Sequence, residues 1–411
     1  MNTRSQTMPP SLTAETPSER PAVPWMALAL ILATSVALHF AVDTRQALLF
    51  LVGGLLGLAL YHAAFGFTSA WRVFITERRG AGLRAQMVML ALAVILFFPA
   101  LSSGTLFDTP VRGNVAPLGT SVAIGAFLFG IGMQLGGGCA SGTLFTAGGG
   151  NARMLVTLAF FIIGATVATL HLDWWFALPS LPATSIVEAL GLWPALAANL
   201  LAFALIAALT MVLERRRHGR LEQHDLPSRR GWSRVLHGPW PLLCGGVLLA
   251  LLNYATLVLA GRPWGITGAF SLWGAKTLQS VGTDVAQWPF WQRPSNAQAL
   301  AAPVWHDITS VMNFGIMLGA FLAAGLAGRF APSLRIPLRS LVAAVLGGLM
   351  LGYGARLAYG CNIGAYFSGI ASGSLHGWLW LLAAFLGNAA GGRLRPIFFP
   401  NEKVQARLTG C

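Results

Sequence analysis

Apolar runs of about 20 residues recur along the whole chain, separated by short charged or Gly/Pro-rich loops. A helix of that length is what crosses a hydrocarbon layer of ~30 Å. Only 10% of the 411 residues are charged and 55% are apolar, whereas a soluble domain carries about 25% charge. There is too little polar surface for a water-soluble fold. In lipid every backbone N–H and C=O must be satisfied within the protein, which leaves helices as the way to use these runs. The expectation is an all-α polytopic membrane protein.

Candidate spans fall at residues 24–42, 47–65, 85–103, 117–136, 154–171, 190–212, 240–260, 308–328, 338–358 and 377–392. Between them lie four apolar pieces too short to cross: 66–76, 139–150, one beginning at Trp264 and one beginning at Cys361. These read as re-entrant half-helices that enter and leave on one face.

Two of the short pieces carry a duplicated motif. Gly138, Cys139, Gly142 and Phe145 align with Gly360, Cys361, Gly364 and Phe367, 222 residues later. The other two also pair: Gly66, Thr68 and Ala70 align with Gly265, Thr267 and Ala269, 199 residues later. The order of motifs makes each half the same unit: span, short segment, span, span, short cysteine segment, span. The chain then divides into a polar tail (1–23), an extra first span (24–46), a first repeat (47–171), a connecting span with a basic loop (172–238), a second repeat (239–396) and a basic tail (397–411).

Four spans per unit, with one span between units, invert the second unit relative to the first. That is a common plan for transporters. Charge supports the count. With the N-terminus inside, 21 of the 27 basic residues fall on the cytoplasmic side, among them seven arginines between 215 and 234. Arg45, Arg112, Arg262, Lys276 and Arg293 fall outside, and Arg356 lies near a membrane end. A cytoplasmic excess of this kind is what orients helical membrane proteins, and it places both termini in the cytoplasm. It also accounts for the net charge of +14 without a nucleic-acid partner. The four half-helices then point inward, two from each face, toward an hourglass-like centre.

The glycines ahead of each cysteine allow a sharp turn, and a helix starting there presents unpaired N–H groups and its positive end. That favours an anion. Cys139 and Cys361 would stand at those helix starts, and thiols suit sulfur or selenium species. Gly138, Gly360, Thr68, Ser69, Thr267, Gln134 and Asn362 complete the candidate pathway: the glycines by backbone, the hydroxyls and amides as donors. The bland reading makes each cysteine a small packing residue, each hydroxyl a cap, and Arg356 a residue that snorkels to the interface. Cys244, in the seventh span with no partner motif, reads as packing. Trp264, Trp273, Trp288, Trp291 and Trp305 read as interfacial aromatics. No CxxC pair, no clustered histidines and no Walker motif occur, so no metal, cofactor or ATP chemistry is expected.

At these motifs the sequence resembles the YeeE/YedE family of bacterial inner-membrane proteins. The match rests on Gly66–Ala70, Gly136–Gly142, Trp264–Ala269, Tyr359–Gly364 and Ser374–Trp378, and covers roughly residues 47–400. The resemblance implies an inverted repeat with short central helices and import of a small sulfur-containing ion, thiosulfate in the best understood members, past cysteines that make transient S–H···S contacts. Cys139 and Cys361 match the central cysteines. A further path cysteine of the thiosulfate importers has no counterpart here, and Cys244 is a poor candidate. Another sulfur or selenium oxyanion fits as well. The partners expected are thus the bilayer, a small inorganic sulfur or selenium anion and, if consumption inside draws it in, a cytoplasmic sulfur-transfer protein. The rival readings are a redox, persulfide-handling or sensory membrane protein using the same thiols, and a structural subunit.

Overall fold

The structure, a computed structural model, describes residues 22–222, 231–332 and 334–400. Long helices stand where the apolar runs stand. In chain order, α1 (Ala22–Ala41) and α2 (Thr44–His62) are followed by the short α3 (Phe67–Glu77). Next come α4 (Ala81–Ser103), α5 (Thr120–Gly136), the short α6 (Ala140–Gly148), α7 (Ala152–Phe176), the one-turn α8 (Ile186–Leu190) and α9 (Leu192–His218). After α10 (Trp232–His237), α11 (Leu242–Ala260) precedes the short α12 (Thr267–Ser280). The linker holds α13 (Pro289–Gln292) and α14 (Pro294–Ala301), and α15 (Ile308–Leu326) and α16 (Leu338–Leu357) follow. A π-helical turn, Asn362–Phe367, runs into α17 (Ser368–Ala371), and α18 (Leu375–Phe398) comes last. Two antiparallel ribbons tie the loops, β1 (Thr105–Leu106) with β2 (Thr109–Pro110) and β3 (Leu118–Gly119) with β4 (Ser180–Leu181).

Among the described residues, nine helical stretches are long and apolar enough to cross a membrane, with α2–α3, α5–α6 and α16–α17 each forming one stretch. The protein is therefore an all-α polytopic membrane protein with about nine apolar spans. Helix α18 is as long as its neighbours, but His376, Asn388 and several glycines lower its hydropathy. The expected tails and the middle of the basic loop, with Arg4, Arg20, Arg229, Arg230, Lys403, Arg407 and Cys411, lie outside the described residues.

The packing is symmetric between the halves. Helix α2 lies on α15 as α11 lies on α4, and α7 lies on α16 as α18 lies on α5. Helix α3 touches α18 as α12 touches α7, and α6 touches α15 as α17 touches α4. The pairs α2–α11 and α5–α16 close the pattern, each meeting its own counterpart. The symmetry extends to the two spans left over in the sequence, because α1 packs on α15 as α9 packs on α4. Both present most of their apolar side chains outward, as lipid-facing helices do.

Without water to drive helices together, close backbone approach supplies the packing. At the α2–α15 crossing, a Cβ on Gly57 would collide with the Ile316 carbonyl, and one on Gly319 with the Gly54 carbonyl. A single apolar cluster fills the centre and includes Phe67, Trp71, Phe129, Phe161, Phe270, Tyr366 and Trp380.

Two expectations shift. Trp264 and Trp291 are buried rather than interfacial, whereas Trp305 is exposed. Cys244 is exposed on α11 rather than packed inside. Glu214, just before the last turn of α9, is fully buried. It accepts from Arg84 Nη1 at 2.6 Å and from the Gly80 and Glu222 N–H groups, tying α9 to the start of α4.

Candidate functional site

Each cysteine ends an extended turn and caps the helix that follows. Cys139 has φ −83° and ψ −170°, and its Sγ accepts from the Gly142 N–H at 3.5 Å. Cys361 has φ −105° and ψ −165°, and its Sγ accepts from the Ile363 N–H at 3.4 Å. A thiol is a weak acceptor, so these caps leave the first-turn amides under-satisfied. Both side chains are fully buried and neither is in a disulfide. Helix α6 touches the 362–367 turn. The duplicated motif thus brings its two copies together in the protein interior.

The turns ahead of the cysteines differ. Gly137, at φ 89°, ends α5, and Gly138 follows in ordinary backbone. In the second copy Tyr359 takes φ 57° and Gly360 φ 148°. The Gly360 carbonyl accepts from Trp380 Nε1 at 3.1 Å.

The other pathway candidates divide into two groups. Asn362 is fully buried, and neither its Nδ2 nor its Oδ1 has a partner among the described residues. Thr68 is buried at the start of α3 with its Oγ1 unpartnered. Thr267, buried, opens α12. All three stand in the first turns of short helical segments, where backbone N–H groups lack intrahelical acceptors. Gln134 and Ser69 serve structure more visibly. Gln134 Nε2 donates to Asn388 Oδ1 at 3.0 Å across α5 and α18, and Ser69 Oγ donates to the Gly66 carbonyl at 3.3 Å.

Exposure adds to the picture. Gly268, next to Thr267, is exposed, and no heavy atom stands within 4 Å of where a Cβ would be at Gly265, Gly268 or Gly364. Ser69, the counterpart of Gly268, is half-buried. A narrow cleft bordered by Thr256, Arg262, Gly265 and Thr309 approaches the start of α12.

Arg262 was not singled out by the sequence, yet it donates from Nη2 to Thr309 Oγ1 at 3.0 Å beside that cleft. Burial holds its guanidinium below the usual arginine range; Asp307 opposes this, and Arg112 and Arg45 push the same way. Asp307 caps α15 through the Ser310 N–H and Oγ. None of Arg45, Arg112 and Arg262 makes an ion pair among the described residues. The loop carrying Arg112 also docks here. Its N–H donates to the Gly261 carbonyl, and Asn114 Nδ2 donates to the Gly364 carbonyl at 2.6 Å. Neither contact follows a sequence pattern, because both join segments far apart in the chain.

Lys276 is held by the Leu300 and Ala302 carbonyls at 2.7 Å and so anchors the linker. Arg356 lies over the Phe290 ring at 4.7 Å. No group of three or more metal-binding side chains occurs among the described residues.

Comparison with known proteins adds an independent line. The protein called probable transporter YedE from Salmonella typhimurium is 35% identical over 182 residues, 43% of each chain, so that match spans less than half of the relative. Two proteins called thiosulfate transporter TsuA match over more of their length. The one from Spirochaeta thermophila is 29% identical over 357 residues, 82% of this chain and 95% of its own. The one from Escherichia coli is 28% identical over 349 residues, 82% and 90% respectively. A family profile described as sulphur transport matches residues 62–390. That range takes in both cysteine caps and all four short helical segments, and by it the chain belongs to the sulphur-transport family.

Proposed function

We propose that the protein moves a small sulfur-containing anion of thiosulfate type from periplasm to cytoplasm across the bacterial inner membrane. The path runs past Cys361 and then Cys139. The four short helices act as re-entrant segments, two from each face, and both termini lie in the cytoplasm. The observation that carries this reading is the pair of buried thiol caps on segments that touch, embedded in symmetric packing.

The physical steps follow from charge and softness. Arg45, Arg112 and Arg262 raise the local concentration of an anion at the outer mouth. Under-satisfied amides at the starts of the Cys361 and Cys139 helices replace water around it. The thiols contact its sulfur end, and a soft, weakly held contact suits passage better than tight binding, since conduction needs release as well as capture.

Uptake of radiolabelled thiosulfate into proteoliposomes tests the reading. The wild type is expected to accumulate label, and Cys139→Ala and Cys361→Ala to fall to background while melting at the same temperature. Unchanged uptake in both variants overturns the thiol path. Competition by unlabelled selenite separates a sulfur from a selenium substrate.

A further inference from the structure

We infer that Asn362 is a specificity-determining residue that holds an oxygen of the transported anion while Cys361 meets its chalcogen end. The substrate class is thereby narrowed to oxyanions of sulfur or selenium. The inference rests on the transport reading above.

The carboxamide of Asn362 is fully buried, and both of its polar atoms lack a partner among the described residues. Other buried asparagines of the helix core are bound at one end or both. Asn253 donates to Ser368 Oγ and accepts from the Trp264 N–H, and Asn313 donates to the Ile266 carbonyl. An amide left unmatched at both ends is unfavourable in an apolar interior. Asn362 directly follows Cys361 at the start of the same helical turn, and open space lies at Gly364 two residues on. The matching position in the first copy is Ala140, so the amide belongs to one thiol only. An Nδ2–H pair beside a soft sulfur suits a ligand with a sulfur or selenium at one end and oxygens at the other.

The test uses full-length protein in proteoliposomes at mildly alkaline pH. Thiosulfate is the transported probe, and trithiocarbonate, an oxygen-free dianion whose three outer atoms are all sulfur and accept hydrogen bonds poorly, is the competitor. Asn362→Ala is expected to raise the thiosulfate KM about 10- to 100-fold, the effect of one hydrogen bond to a charged group, and to leave the inhibition constant of trithiocarbonate unchanged. Asn362→Asp, which sets a carboxylate against the anion, is expected to abolish uptake. Asn362→Ser, which keeps a donor, is expected to fall between wild type and Asn362→Ala, and its ratio decides the matter should Asn362→Ala fail to assemble. If the two constants move together, or neither moves, the amide is structural or water-filled and the inference is overturned. If the wild type takes up no thiosulfate, the transport reading fails first and takes the inference with it.

Discussion

In the first half Gly137 and Gly138 lead into Cys139, whose carbonyl accepts from the Thr143 N–H and Oγ1, both at 2.8 Å, and a regular helix follows. In the second half Tyr359 and Gly360 lead into Cys361, whose carbonyl accepts from both the Ala365 and Tyr366 N–H groups at 2.9 and 3.3 Å. That sharing widens the turn from α to π. It coincides with an aromatic cluster that Tyr366 joins. Tyr366, where the first half has Leu144, stacks on Trp380 with 6.2 Å between centroids and meets Phe67 and Trp71 edge-on at 5.9 Å. The first thiol has Ser141 at 3.3 Å, where the second half has Ile363. A duplicated motif has thus kept its caps and diverged in what surrounds them. The first thiol contacts a hydroxyl at the start of a regular helix, and the second opens a π-helical turn that carries Tyr366 into an aromatic stack.

The largest test of that contrast exchanges equivalent glycines. At Gly360, with φ 148°, a Cβ would stand 2.7 Å from the Ala365 nitrogen. Gly360→Ala is expected to cost about 3 kcal/mol or more, from strain and clash together. At Gly138 the nearest atom to a Cβ is 3.2 Å away and the backbone is not left-handed, so Gly138→Ala is expected to cost under about 1 kcal/mol. Equilibrium unfolding in mixed micelles measures both, and equal costs would erase the distinction between the two turns.

Next in size is Trp380→Phe. It removes the donor to the Gly360 carbonyl in a fully buried site, with an expected loss of about 1–3 kcal/mol. Smaller again is Ser141→Ala, which breaks the Sγ···Oγ contact of the first copy. About 1 kcal/mol is at stake, so uptake is expected to fall no more than about fivefold. A larger loss would mean that Ser141 contacts the substrate as well as the thiol.

How much of this was readable in the sequence depends on whether the cause is local. Helices at the apolar runs and breaks at Gly66, Gly138, Gly265 and Gly360 follow from local composition, and the structure places them within a few residues of the expected positions. The pairing of Cys139 with Cys361 was legible because both copies survive in one chain. The role of α1 and α9 was not. They carry no motif, and only their packing on α15 and α4 makes them equivalent. The Asn114 contact with Gly364, the Arg262 contact with Thr309 and the Arg112 contact with Gly261 depend on loops that no periodicity describes. The π turn was hidden too, since Asn362–Phe367 has the composition of an ordinary helix and widens through the carbonyl geometry at Cys361.

The finest comparison is between Tyr359 and its counterpart Gly137, both left-handed at φ 57° and 89°. A tyrosine there costs about 1 kcal/mol relative to glycine. Its ring recovers part of this by stacking on Phe176, at 4.8 Å and 6° between planes, a contact worth about 0.5–1.5 kcal/mol. Tyr359→Gly is therefore expected to change stability by less than about 1 kcal/mol, relief and loss offsetting one another. Tyr359→Ala keeps the strain and loses the stack, so it is expected to fall about 1 kcal/mol below the glycine variant. Gly137→Ala in the first half should fall by a similar amount or more, because a Cβ there would also press on the Met154 side chain at 2.9 Å. If Tyr359→Ala matched Tyr359→Gly in unfolding, the left-handed turn would carry no strain, and the asymmetry between the two cysteine segments would rest on the π turn and its aromatic cluster alone.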